Sequence, residues 1–262
     1  MFIHGGGANA YWWTHVAALL SSDFRVVAVD LSGHGDSQHR MKYSFEQWSD
    51  EVMALAGAAE IAGPPVLIGH SMGGMVVIAT GARYPAHLSG AIVCDSPVTA
   101  ESPESDAPQL RRDSQRRSGY QTEAEIVGRF RTLPAQDHYL DYVIDHVAHQ
   151  SVRWTPEGWQ WKVDAQLFAK LGTRMVGQAA APYLSQVRCR LALLRSEFGL
   201  VTPDVGQYMY NELGRVAPVI TLPQSGHHAM LDEPLILLTA IRALLGDWEH
   251  SRPHQRPCVD DR

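Results

Sequence analysis

The pentapeptide Gly69-His70-Ser71-Met72-Gly73 constrains this chain more than any other feature. It ends the apolar run Pro65 to Gly69 (PVLIG) and leads into the helix-prone run MVVIATGARY. A serine held between a strand and a helix occupies a sharp turn, and a side chain at either flanking glycine would collide with the adjoining strand or helix. Gly69 and Gly73 meet that requirement and Gly74 adds slack, so the pattern predicts a serine hydroxyl presented at the end of a buried strand.

Serine is a poor nucleophile at neutral pH and needs a base within hydrogen-bond reach, itself oriented by a carboxylate. His227, in Ser225-Gly226-His227-His228, follows the strand-like PVITL and precedes the helix at Pro234. His228 is its competitor. The other histidines, including His39, His87, His138, His146, His149, His250 and His254, read as surface or structural residues. A third element, Phe2-Ile3-His4-Gly5-Gly6-Gly7, runs a strand end into a glycine loop whose N–H groups can turn toward a tetrahedral oxyanion without side-chain obstruction. The N–H groups of Gly6 and Met72 are the expected pair.

The rest of the chain alternates short, continuously apolar runs with helical patterns. Phe24–Asp30, Pro65–Gly69, Ala91–Asp95, Arg190–Arg195 and Pro218–Leu222 read as strands of a parallel sheet covered on both faces. Thr14–Leu20, Phe45–Ala59, Met72–Tyr84, Pro203–Leu213 and Pro234–Trp248 supply the crossovers. This β-α-β-α order predicts a doubly wound α/β core over 1–95 and 187–249. Residues 96–186 lack a convincing buried strand and read as an inserted helical cap, with helices over Glu123–Arg131, Tyr139–Gln150 and Asp164–Leu171. The polar tail 250–262 is expected to be disordered. Trp12, Trp13, Trp154, Trp159, Trp161, Phe130 and Tyr139 are candidates either for the core or for an apolar pocket under the cap.

The formal charge of −6 and the absence of a long basic run argue against nucleic acid as a partner. Arg111, Arg112, Arg116 and Arg117 lie among acidic residues and read as a solvated surface segment. Cys94, Cys189 and Cys258 form neither a disulfide framework nor a C-x-x-C pair. With no span of roughly 18 to 20 apolar residues and no signal-peptide pattern, the expectation is a cytoplasmic protein acting on a small molecule. No dinucleotide, P-loop or H-E-x-x-H motif is present, so neither a cofactor nor a metal is expected. The adjacent His227 and His228 are expected to point apart rather than to share an ion.

Together, His4-Gly5-Gly6-Gly7, the turn Asp30-Leu31-Ser32-Gly33-His34-Gly35-Asp36-Ser37, the Gly69–Gly74 segment and the late Gly226-His227 resemble the α/β-hydrolase superfamily over roughly residues 2 to 248. The resemblance implies the order Ser, acid, His and a cofactor-independent serine hydrolase. It gives Asp30, His34 and Asp36 a turn-forming role. The chain departs from the family pattern twice. Two antiparallel strands usually precede the glycine-loop strand, and here they are absent. If the natural protein begins upstream, about 25 further residues are expected to raise the melting temperature by several degrees, at roughly 2–4 °C per kcal/mol. The usual acid position, in the loop after RLALLR, aligns with Gly199.

The replacement acid is expected to be Asp95, which ends the strand AIVCD 24 residues after Ser71, with Glu197 and Asp204 as alternatives. A strand C-terminus faces the ligand crevice of an open α/β sheet, and related families carry an acid there. The reading is hydrolysis of an ester or related acyl bond by Ser71, His227 and Asp95. Alternatives on the same fold are cleavage of a C–C bond in a vinylogous diketone acid and a small-molecule receptor.

Overall fold

The computed structural model describes residues 1–100, 119–172 and 176–251; the arginine cluster 111–117, Cys258, His254 and most of the tail lie outside them. Among the described residues, eight strands form two sheets. In the larger, β1 (Phe2–Ile3), β2 (Ala28–Val29), β3 (Val66–His70), β4 (Gly90–Cys94), β7 (Leu191–Phe198) and β8 (Val219–Gly226) are ordered β2-β1-β3-β4-β7-β8. Every pairing in this sheet is parallel. The expected strand over Phe24–Asp30 contracts to two residues because its neighbour β1 offers only Phe2 and Ile3, paired with Ala28 and Val29.

A parallel sheet must be covered on both faces, which explains why its strands are apolar throughout. One face packs against α2 (Phe45–Ala58), α3 (Met72–Arg83), α7 (Val176–Leu184) and α8 (Pro203–Glu212), with Trp48, Val76, Ile78, Leu184 and Met209 buried there. The other carries α1 (Thr14–Leu20), α5 (Asp141–Gln150), the short α9 (Ala229–Asp232) and α10 (Pro234–His250), with Trp13, Val16, Val147, Leu237 and Ile241 buried. Capping fixes two helix starts: the side chains of Ser44 and Thr202 accept from the backbone N–H of Gln47 and Val205.

Between β4 and β7 the described residues are not purely helical. Beside α4 (Glu123–Val127), α5 and α6 (Leu167–Leu171), an antiparallel hairpin pairs β5 (Val152–Thr155) with β6 (Gly158–Trp161). Its strands are four residues long and half-exposed, too short for periodicity to reveal. Helix α7, which Pro182 hides from a sequence reading, falls within the expected insertion yet packs on α3 of the core, with Ala180 and Leu184 buried. No helix among the described residues is long and apolar enough to cross a membrane.

Candidate active site

Ser71 stands between β3 and α3 with φ 54° and ψ −122°. Such a backbone costs on the order of 1–3 kcal/mol and persists only where its surroundings impose it. Here Ser71 N–H donates to Cys94 O (3.0 Å), while Ser71 O accepts from Gly74 N–H (3.0 Å). A Cβ on Gly69 would lie 2.4 Å from Gly73 O, and one on Gly73 2.3 Å from His4 O. Gly74 is not mere slack, because its Cβ would meet Ser96 Oγ at 1.9 Å.

His227 enters from the loop after β8. Its Nε2 lies 3.1 Å from Ser71 Oγ and its Nδ1 2.7 Å from Asp95 Oδ2. Asp95, at the end of β4 with φ 42°, accepts three further hydrogen bonds: Oδ1 from the N–H groups of Ser196 (3.1 Å) and Val201 (3.3 Å), and Oδ2 from that of Leu200 (2.7 Å). Burial acts most strongly on this carboxyl and would raise its pKa. The bond from His227 and those from the Leu200 and Ser196 backbones outweigh it and hold the group below the usual carboxylate range.

Gly199 explains why the acid stands where it does. A Cβ at 199 would lie 2.3 Å from Asp95 Oδ2, so the Asp95 carboxylate fills the volume that a side chain on the later loop would occupy. Glu197 instead accepts from Gln224 N–H (2.8 Å), and Asp204 sits in the first turn of α8; neither is brought to His227.

Sequence reasoning did not single out the residues that hold the His227 loop. His70 Nε2–H donates to His227 O (2.8 Å), tying the loop to β3. Burial, with His227 nearby, lowers the His70 pKa to about 3, so the ring is neutral. Asp232 accepts from Gly226 N–H (2.6 Å) and Gln136 Nε2 (3.0 Å). His228 turns from the serine: its Nε2–H donates to Pro134 O (3.1 Å) and its backbone N–H to Gln136 Oε1. The two adjacent rings nevertheless do not point apart. Their centres are 4.6 Å apart, and one ring nitrogen each from His70, His227 and His228 lies within 4.8 Å of the others, an arrangement able to hold an ion.

The glycine loop runs beside the serine, with a Cβ on Gly5 placed 3.2 Å from Ser71 Cβ. Met72 opens α3, so its N–H has no acceptor one turn earlier. Neither it nor Gly6 N–H has an acceptor among the described residues. Asp30 behaves as a turn residue, accepting from the N–H groups of Ala10 and Asp36. Trp12 and Trp13 belong to the core, whereas Trp154 is exposed. A groove of about 610 Å³ lined by Arg195, Tyr210 and Arg215 is bordered by none of Ser71, His227 or Asp95.

The rings of His4 and His34 lie 4.7 Å apart, tilted by 57°, and are fully buried. Burial lowers both pKa values, that of His34 well below the ordinary range with His4 adding to the effect. The unfolded chain therefore binds protons below about pH 6.5 that the folded chain refuses. The contribution of these two histidines is complete above that pH and falls as pH drops toward the folded values, by up to about 1.4 kcal/mol per unit for each. The urea midpoint is expected to fall from pH 6.5 to pH 5, and His34→Gln to flatten the slope. An equal slope in the variant would contradict this.

A parallel sheet whose strand-to-helix turn presents a serine to a histidine from the loop after the last strand defines a class of hydrolases. The chain matches the Alpha/beta hydrolase family over residues 1–240 and belongs to it. It is a hydrolase. Esterase Rv0045c of Mycobacterium tuberculosis is 24% identical over 94% of this chain and 82% of its own length. The 2-(acetamidomethylene)succinate hydrolase of Mesorhizobium japonicum is 24% identical over 92% of this chain and 85% of its own. The pimeloyl-[acyl-carrier protein] methyl ester esterase of Edwardsiella ictaluri is 32% identical over 54% of this chain and 55% of its own. The crystal structure of E-2-(acetamidomethylene)succinate hydrolase superposes with a TM-score of 0.71 at 22% identity, covering 94% of this chain and 90% of that one.

Proposed function

We propose that this hydrolase cleaves an ester or related acyl bond of a small molecule through an acyl-enzyme on Ser71. The observation carrying this reading is the continuous line from Ser71 Oγ through His227 to the Asp95 carboxylate, at 3.1 and 2.7 Å. Ser71 Oγ attacks the acyl carbon as its proton passes to His227 Nε2. The Gly6 and Met72 N–H groups hold the oxyanion. Collapse expels the alcohol, which takes its proton from His227. A water then gives its proton to Nε2 and attacks the acyl carbon, and collapse breaks the bond to Ser71 Oγ, which takes the proton from Nε2 as the acid leaves. Asp95 keeps Nδ1 protonated and stabilises the imidazolium. The esterase names among the relatives favour an ester over a C–C bond as substrate.

The test is turnover of short p-nitrophenyl esters together with mass-spectrometric mapping of a fluorophosphonate adduct. Sustained release and an adduct on Ser71 are expected. Absence of turnover, or an adduct elsewhere, would overturn the reading.

The oxyanion assignment makes a separate prediction. A Cβ on Gly6 would lie 3.0 Å from Phe168 Cζ in α6, so Gly6→Ala must displace either the ring or the loop. Gly6→Ala is expected to lower kcat/KM roughly tenfold, equivalent to about 1.4 kcal/mol of barrier. Phe168→Ala should recover most of it in the double variant. An equal loss with and without the ring would show that Phe168 is not the obstacle.

A further inference from the structure

We propose that His70, His227 and His228 form an inhibitory site for a transition-metal dication of the Zn²⁺ or Cu²⁺ type. The ring centres are 4.6 Å apart for His70 and His227, 4.6 Å for His227 and His228, and 5.4 Å for His70 and His228. Three imidazoles bound to one tetrahedral ion at about 2.1 Å place their ring centres roughly 5 Å apart. The cluster therefore already has the spacing that ligation requires, with one ring nitrogen from each histidine within 4.8 Å of the others.

The outer hydrogen bonds suit the same task. Ligating histidines characteristically donate their second ring N–H to a carbonyl or carboxylate, which fixes the tautomer and leaves the other nitrogen free to bind. All three rings do so here: His70 to His227 O, His228 to Pro134 O and His227 to Asp95. His228 Nδ1 is the independent sign. It has no hydrogen-bond partner among the described residues although the residue is only 3% exposed, and the proposed acyl transfer does not use it. A buried unsatisfied nitrogen calls for an explanation, and a ligand lone pair provides one. Ser71, half-exposed and 3.1 Å from His227 Nε2, lies on the approach from solvent.

Imidazole donors select Zn²⁺, Cu²⁺ or Ni²⁺ over Mg²⁺ and Ca²⁺, which prefer oxygen. Bound metal occupies the His227 lone pair that would accept the Ser71 proton, so occupancy and ester turnover exclude each other. This inhibitory consequence rests on His227 acting as the base; the binding itself does not.

The full chain, freed of metal with a chelator, is titrated with Zn²⁺ by calorimetry and with Cu²⁺ under electron paramagnetic resonance, with turnover followed in parallel. One ion per chain, imidazole nitrogen couplings in the Cu²⁺ spectrum, loss of turnover restored by EDTA, and no effect of Mg²⁺ are expected. Whatever turnover His228→Gln retains, its half-inhibiting Zn²⁺ concentration should rise about tenfold or more. Ser71→Ala, which needs no turnover for its readout, should bind the same single ion. A spectrum without nitrogen couplings, or inhibition lost in Cys189→Ser and unchanged in His228→Gln, would overturn the site. Metal binding with these couplings in a chain that turns over no ester would support the site and overturn the esterase reading instead.

Discussion

Ser71→Ala is expected to lower ester turnover about 10⁶-fold, the scale seen when a serine nucleophile is removed from a triad. The effect should be confined to chemistry. Ser71 Oγ makes its hydrogen bond to His227 and does not cap α3, so its loss leaves the helix start intact. Alanine and serine suffer alike at φ 54°, and the glycines and backbone bonds that impose the turn are untouched. The melting temperature should therefore stay within a few degrees of the parent, since about 0.5 kcal/mol is the usual scale for so small a change. Single-turnover kinetics, fluorophosphonate labelling and a thermal melt on the same preparation separate the two effects. A variant within tenfold of the parent, or one still labelled, would remove Ser71 from the nucleophile role.

Asp95→Asn is expected to lower turnover about 10⁴-fold, because an amide beside Nδ1 favours the tautomer whose Nε2 carries a proton and cannot accept one from serine. Unlike the serine change, this one should also cost stability. Both carboxylate oxygens accept backbone N–H groups, Oδ1 those of Ser196 and Val201 and Oδ2 that of Leu200. Either orientation of an asparagine amide sets donor against donor. Such a buried mismatch costs about 1–3 kcal/mol and should lower the melting temperature by several degrees. Glu197→Gln should leave turnover nearly unchanged, since that carboxylate serves Gln224. The contact between Gly199 and Asp95 adds a stricter check: Asp95→Ala combined with Gly199→Asp should regain part of the activity lost in Asp95→Ala, because a side chain from 199 projects into the same volume. A crippled Glu197→Gln beside an active Asp95→Asn would move the acid to the later loop.

The sequence by itself determined the elements whose signals are local. Strand β3, the elbow glycines and helices α1, α2, α3, α8 and α10 were legible because apolar runs, caps and small residues act over a few positions. Ser71 and His227 could be named from such segments. The paired β5 and β6, helix α7 and the contraction of β2 were not legible, since each depends on what packs or pairs beside it. In the site, sequence favoured Asp95 as the acid for its place at a strand end but left Glu197 and Asp204 as alternatives. Tertiary structure brought Asp95 alone to His227, because parallel pairing of β4 with β7 sets its carboxylate in the space left beside Gly199, 104 positions later in the chain. The same long-range packing brought His70 against His227 and His228, which no local pattern encodes, because ring spacing across separate segments is fixed only when the sheet and its loops close together.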